Sequence, residues 1–272
     1  MNLLIFLFVF IIGTIIGSFL NVVIYRFNTG KTIVSGRSMC MSCSNTLRWY
    51  ELIPVFSFLI QSGRCRQCAS RISHQYPIVE LITGIIFVLI SFKLLPFLFM
   101  SFWMYLFFLV FFVFIFCLLI VISVYDIRHK IIPDKLVYTF ILVSLFSIFI
   151  NYSMFGGFLT IPSLDSLLAG PILALPFALL WYLSKGKLMG LGDGKLVLGI
   201  GWLLGLSAGF SAVIISFWLG SIIGLSLMIF TKKRKNINMK TEIPFAPFLI
   251  VGTFLVFLFN IDILSIIKSF GI

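Results

Sequence analysis

Eight apolar stretches, at 2–25, 77–94, 97–124, 136–152, 165–184, 195–210, 211–230 and 244–264, fill most of this 272-residue chain. Each approaches the roughly 20 apolar residues that a helix needs to cross the hydrocarbon layer. Charged residues make up only 10% of the sequence and hydrophobic ones 61%, whereas a soluble domain carries about a quarter charged residues. So few charges cannot cover an aqueous surface, and lipid is therefore the solvent for most of the chain. The sixth and seventh stretches share one continuous apolar run from Lys195 to Phe230. One span there is too long and two are short. The 33 phenylalanines fit plain lipid contact and carry no chemistry.

A net charge of +12 invites a nucleic-acid reading, but its distribution argues for topology and against nucleic acid. Of the 20 basic residues, all but Lys93 and Lys268 fall in 26–76, 126–135, 185–195 or 231–242. The positive-inside rule then puts those four segments in the cytoplasm and both termini outside. Eight spans satisfy this alternation, and adding or dropping one internal span scrambles it. The first span is expected to be an anchor. No positive residue precedes it, it is longer than a signal h-region, and no small-x-small cleavage site follows. The run Lys232-Lys233-Arg234-Lys235 reads as a topology anchor that also attracts anionic lipid.

One polar insert, Arg26 to about Tyr76, is long enough to form a small cytoplasmic domain. It divides the chain into a first transmembrane helix (1–25), the insert (26–76) and a seven-helix membrane domain (77–272). The insert contains Cys40-x-x-Cys43 and Cys65-x-x-Cys68, each pair offering two thiolates on a tight turn as tetrahedral zinc sites do. Arg37, Arg48, Arg64 and Arg66 favour the thiolates and offset their charge. Two disulfides or a redox pair compete with zinc, but a reducing cytoplasm argues against stable disulfides. A short polar domain with little core needs a staple. Four cysteines leave no open position for substrate, so the expected role is structural. Cys117, inside a span, reads as a packing residue. The expected fold class is thus an all-α polytopic membrane protein of about eight transmembrane helices with a small zinc-stapled cytoplasmic insert.

Only eight carboxylates are present. Glu51, Asp165 and Asp262 suit solvated loop or interface roles. Asp134, after Ile132-Pro133, suits the N-terminus of the fourth span, where an acid complements the helix dipole. Asp126 and Asp193 differ. Asp126 stands where the third span reaches its cytoplasmic end. Asp193 stands in Gly190-Leu191-Gly192-Asp193-Gly194, between two spans at the same face. A carboxylate at the membrane boundary is costly unless it has a partner or a task. Two that share a proton act together: the ionised one takes a proton from water and the protonated one polarises a scissile carbonyl. Gly190 and Gly192 are expected to let the backbone approach an extended substrate and adopt positive φ. Gly-x-Gly-Asp alone is a weak motif, and its weight here comes from the second aspartate. His74 and His129 read as interface residues. No His-Glu-x-x-His run or Gly-x-Ser-x-Gly elbow occurs, so neither a zinc metallopeptidase nor a serine hydrolase is supported.

Taken together, the motifs resemble the bacterial prepilin peptidase family, the type 4 prepilin-like leader peptidases. The resemblance rests on Gly17–Arg26, the four-cysteine insert with Leu47–Pro54 between its pairs, Gly63–Cys68 and Tyr76–Leu81. It continues through Asp126–Asp134, Gly190–Asp193 and Pro244–Phe248, and so covers nearly the whole chain. It implies that Asp126 and Asp193 are catalytic. The implied substrate is a type IV prepilin or pseudopilin, cut after a glycine at the cytoplasmic face of the bacterial inner membrane to release a short basic leader. It also implies N-methylation of the new N-terminal residue with S-adenosylmethionine. Glu80 and Asp134 enter as supporting carboxylates. The S-adenosylmethionine site rests on the resemblance alone, since no Gly-rich nucleotide loop is visible. The chain departs from the family pattern at Leu191, Gly194, Gln75 and Glu51. The main rival is a transporter or channel with a zinc-stabilised cap, which predicts carboxylates near mid-membrane. A presenilin-like protease would carry a Pro-Ala-Leu element, absent here. A redox sensor would need its cysteines and not its aspartates.

Overall fold

The computed structural model describes residues 3–30, 32–33, 36–150, 161–231 and 243–269. Lys31 and the basic segment 232–240 lie outside the described residues. The described chain is helical, with only two isolated β-bridges. Five helices are long and apolar enough to cross a membrane, which makes this a multi-pass membrane protein. They are α1 (Leu3–Arg26), α3 (Gln75–Lys93), α5 (Phe102–His129), α7 (Leu164–Ser184) and α9 (Leu206–Thr231). Three further helices of 14 residues, α6 (Asp134–Ser147), α8 (Leu191–Leu204) and α10 (Ala246–Phe259), overlap the other expected stretches and are shorter than those five. Short helices α2 (Phe56–Ile60), α4 (Leu95–Met100) and α11 (Ile263–Ser269), with one 3-10 turn at Trp49–Leu52, complete the described set.

Two span boundaries differ from the sequence reading. The run from Lys195 to Phe230 breaks at Gly205 rather than near residue 210. Gly205 has φ 83° and ψ 175°, a region open only to glycine, so α8 stops there and α9 begins one residue later. The stretch 97–124 is also divided. Ser101 is extended (φ −161°, ψ 132°) and separates α4 from α5, which then continues past Asp126 to His129.

The chain forms two compact units, Met1–Val121 and Ile122–Ile272. In the first, α1 packs along α3 at close range. A Cβ on Gly13 would stand 2.8 Å from Gly84 Cα, and one on Gly17 2.8 Å from Glu80 Cα. The glycines at i and i+4 let the two backbones approach as small-residue faces do in membranes. At the end of this pair, Asn21 Nδ2 donates to the Tyr76 carbonyl at 3.2 Å and Tyr25 stacks on Tyr76. The insert joins α1 to α3 between Arg26 and Gln75, and Arg26 donates to the carbonyls of Thr32 and Arg37.

In the second unit, α8 is the central element, packed against α6, α7 and α9, with α10 against α9. Its Leu196, Val197 and Ile200 are fully buried. Gly201 lies against Gly170 of α7, where a Cβ would be 2.7 Å away. Trp202 Nε1 donates to the Leu167 carbonyl at 2.9 Å. This packing fixes the position of the α8 N-terminus, which carries Asp193.

Candidate active site

Asp126 lies in the last turn of α5 and Asp193 in the first turn of α8, at 4% and 8% exposure. Both belong to the second unit. The backbone reason is local. After Asp126 the Lys130 N–H returns to the Asp126 carbonyl at 2.7 Å, and Lys130 takes a left-handed φ of 54°. That closes α5 and turns the chain through Ile131-Ile132-Pro133 into α6. Ile132 then sits on the Gly192 backbone, where a Cβ would be 3.0 Å from Ile132 Cβ. The loop that follows the first aspartate therefore rests on the turn that carries the second.

The two carboxylates have different surroundings. Asp126 accepts the backbone N–H of Ala246, the first residue of α10. It thereby supplies an acceptor and a negative charge to that helix end. Asp193 Oδ1 is buried and has no hydrogen-bond partner among the described residues. An unpaired buried oxygen costs about 1–3 kcal/mol, and such orphans call for an unrecorded water or a functional role.

The glycines act differently from expectation. Gly190 has φ −74° and ψ 147° and is the N-cap of α8, while Gly192 and Gly194 are helical. None of the three has positive φ; that conformation falls earlier, at Gly186 (φ 74°). The motif is the start of a helix and not a free loop. What Gly192 needs is room for Ile132. Gly190 is open, with no atom closer than 3.9 Å to a Cβ built on it.

Asp134 opens α6, as its dipole role requires. It also accepts a 2.6 Å ion pair from Lys195, whose ammonium lies 4.8 Å from the Tyr138 ring centroid. Lys195 and the Ala246 N–H were not singled out by sequence. Lys195 stands two residues after Asp193, and Pro244–Phe248 was already a recognised motif, but neither feature names a partner far away in the chain. Glu80, in the first unit, is 6% exposed. It accepts the Val55 backbone N–H at 2.7 Å. His129 pairs with the Tyr125 ring and His74 with Phe58. Glu51 accepts the Arg48 backbone N–H, and Asp262 accepts the Ser207 hydroxyl.

The cysteines form a separate centre in the first unit. Cys40 N–H donates to the Asn45 carbonyl and Ser44 N–H to the Cys40 carbonyl, both at 2.9 Å. Cys65 repeats the pattern with Ser70 and Ala69. Ser44 and Ala69 both take φ near 55°, and each turn closes on one β-bridge. Two matching knuckles thus face each other. Their four Sγ atoms lie within 4.8 Å of one another, with Cys40 and Cys68 sulfurs 3.8 Å apart. A Zn–S distance of about 2.3 Å gives a tetrahedral edge of about 3.8 Å, so the donor set fits one zinc ion. The backbone N–H groups of Cys43 and then Ser42 hold the Cys40 thiol down to about 6. The Ser70 hydroxyl lowers Cys68. Both favour the thiolate that binds metal. The groove along α5, lined by Trp103, Leu106, Phe107, Val110, Phe111 and Phe114, is apolar, and no described residue is assigned to S-adenosylmethionine.

Comparison with known proteins identifies the family. The family described as Bacterial Peptidase A24 N-terminal domain matches residues 11–94, and the Type IV leader peptidase family matches residues 113–225. A prepilin leader peptidase/N-methyltransferase of Bacillus subtilis is 31% identical over 94% of this chain and 95% of its own length. One from Xanthomonas campestris is 30% identical over 93% and 91%, and one from Aeromonas hydrophila 28% over 94% and 91%. No solved structure matches. The aspartates fall in the second matched region and the cysteines in the first, and the chain belongs to the type IV leader peptidase family.

Proposed function

We propose that this protein removes the short basic leader from type IV prepilins or pseudopilins, with Asp126 and Asp193 as its catalytic pair. The observation that carries this reading is two buried aspartates from α5 and α8, with the loop after Asp126 resting through Ile132 on the turn that carries Asp193, and with an unpartnered oxygen on Asp193. In this reading the two carboxylates share one proton. The ionised carboxylate takes a proton from water, and the water oxygen attacks the scissile carbonyl. The protonated carboxyl donates to that carbonyl oxygen. Collapse of the tetrahedral intermediate breaks the C–N bond and returns a proton to the leaving amine. No metal enters these steps. Gly190, open on its outer side, suits the passage of an extended substrate strand, and Gly192 keeps the helix start seated on Ile132. Asp134 and Lys195 steady the turn that carries Asp193.

Cleavage takes place at the cytoplasmic face of the bacterial inner membrane, with both termini outside. The support is the concentration of basic residues in four segments, which the positive-inside rule turns inward. The new N-terminal residue is then methylated with S-adenosylmethionine as donor, an activity supported by the names of the relatives. Zinc in the four-cysteine centre is structural, since four thiolates leave it no open position. Glu80 steadies the insert through Val55.

The test is purified protein in detergent with a purified prepilin, read by mass spectrometry. The expected product has lost its leader, and with S-adenosylmethionine it gains one methyl group. An intact prepilin after incubation with folded protein would overturn the proposal.

A further inference from the structure

The four-cysteine insert carries an apolar surface that a water-exposed domain has no use for. Trp49, Leu52, Ile53, Phe56, Leu59 and Ile60 are all exposed, Trp49 at 77% and Ile60 at 70%. Four of the five residues of α2 are large and apolar. Contiguous exposed apolar patches of this kind mark contact with a partner or a membrane.

One bond and one packing contact fix where the patch lies. The Val55 N–H, immediately before α2, donates to Glu80 Oε2 at 2.7 Å, and Glu80 packs against Gly17, next to Ser18 in α1. Ser18 lies eight residues before Arg26, the last residue of α1. At about 1.5 Å per residue this places it about 12 Å inside the helix end. Glu80 is likewise more than one turn inside α3, which begins at Gln75. Both helices have the length and composition of membrane spans. Val55 is thus pinned beside the spans, below the level at which the chain leaves them. It takes φ 62° and ψ −52°, a costly conformation for a β-branched residue. The Glu80 bond holds the chain in this tight turn and sends α2 off beside the helices. The α3 face that includes Ile78, Ile82 and Ile85 is exposed and apolar, so the patch continues a lipid-facing surface. Arg48 and Arg64 flank the patch in sequence, both exposed. With Trp49 and Tyr50 they form the basic and aromatic set that favours the headgroup layer.

From this we infer that residues 52–60 are a membrane-seating wedge. The segment enters the boundary between headgroups and acyl chains beside α1 and α3, and its occupant is phospholipid. Segments seated in this way bury their apolar side about 5–10 Å into that boundary. The inference rests on the membrane reading of α1 and α3 and is independent of the peptidase assignment.

The test uses full-length protein in vesicles of phosphatidylethanolamine and phosphatidylglycerol. A benzophenone-bearing amino acid is placed at Leu59 in one protein, at Ile82 in a second and at Ser42 in a third. After illumination, adducts are read by mass spectrometry. The wedge predicts phospholipid adducts at Leu59 in a yield matching Ile82, with none at Ser42. An Ile82 adduct without one at Leu59 would overturn it. So would replacement of the Leu59 lipid adduct by a prepilin adduct when prepilin is reconstituted alongside, because the patch would then be a substrate dock.

Discussion

Asp193 keeps a buried oxygen that no described residue bonds. Such a group lowers stability, and its retention fits a site that spends stability on chemistry. Asp193→Asn removes the buried charge, so the variant is expected to unfold at or above the wild-type temperature, by up to about 1–3 kcal/mol. Thermal unfolding in detergent checks this, and a marked loss of stability would show that the carboxylate is a structural partner. Lys195→Met is expected to behave differently. Its ion pair with Asp134 is partly solvent-exposed and contributes less than about 1 kcal/mol. Its larger effect falls on kcat, with KM unchanged, because the pair holds the turn that carries Asp193. Steady-state kinetics separates the two. At this scale the sequence marked both aspartates by their position at one membrane face. It had no means to show the Ala246 N–H or the Lys195 partner, since both contacts join helices distant in the chain.

Helix packing decides which elements hold the site. The α1–α3 contact depends on Gly13 and Gly17, where added carbons would meet backbone at 2.8 Å. Gly17→Val is therefore expected to lower stability by about 1–3 kcal/mol through forced separation of the helices. The measured quantity is again thermal unfolding, and an unchanged midpoint would contradict the packing. Gly205→Ala tests the break between α8 and α9. The space around Gly205 is open, so the cost of about 1–3 kcal/mol comes from its φ of 83° alone. Hydropathy located the five long apolar helices, because apolar length is a property of composition. It missed the Gly205 break, because one backbone angle leaves no trace in an apolar average. It also assigned positive φ to the Gly190–Gly194 motif, where a helix start proved to be the local solution.

At the scale of the whole molecule, two compact units divide the chemistry. The first holds the thiolate centre and the second the paired aspartates. Cysteine spacing gave the first centre away in the sequence, since Cys-x-x-Cys is a local pattern. The matching knuckles and the 3.8 Å sulfur contact are three-dimensional facts. Cys65→Ser is expected to reduce bound zinc from about one per chain to near none, with the insert then cut readily by protease. Elemental analysis of purified protein reads the metal, and retention of full zinc would contradict the four-thiolate site. The peptidase assignment stands apart from that metal and turns on the aspartates. The most direct measurement is prepilin cleavage by Asp126→Asn and Asp193→Asn beside wild type, each purified and shown to be folded. Leader removal is expected to vanish in both single variants while wild type cleaves. Cleavage at the wild-type rate in either one would contradict the paired-aspartate account.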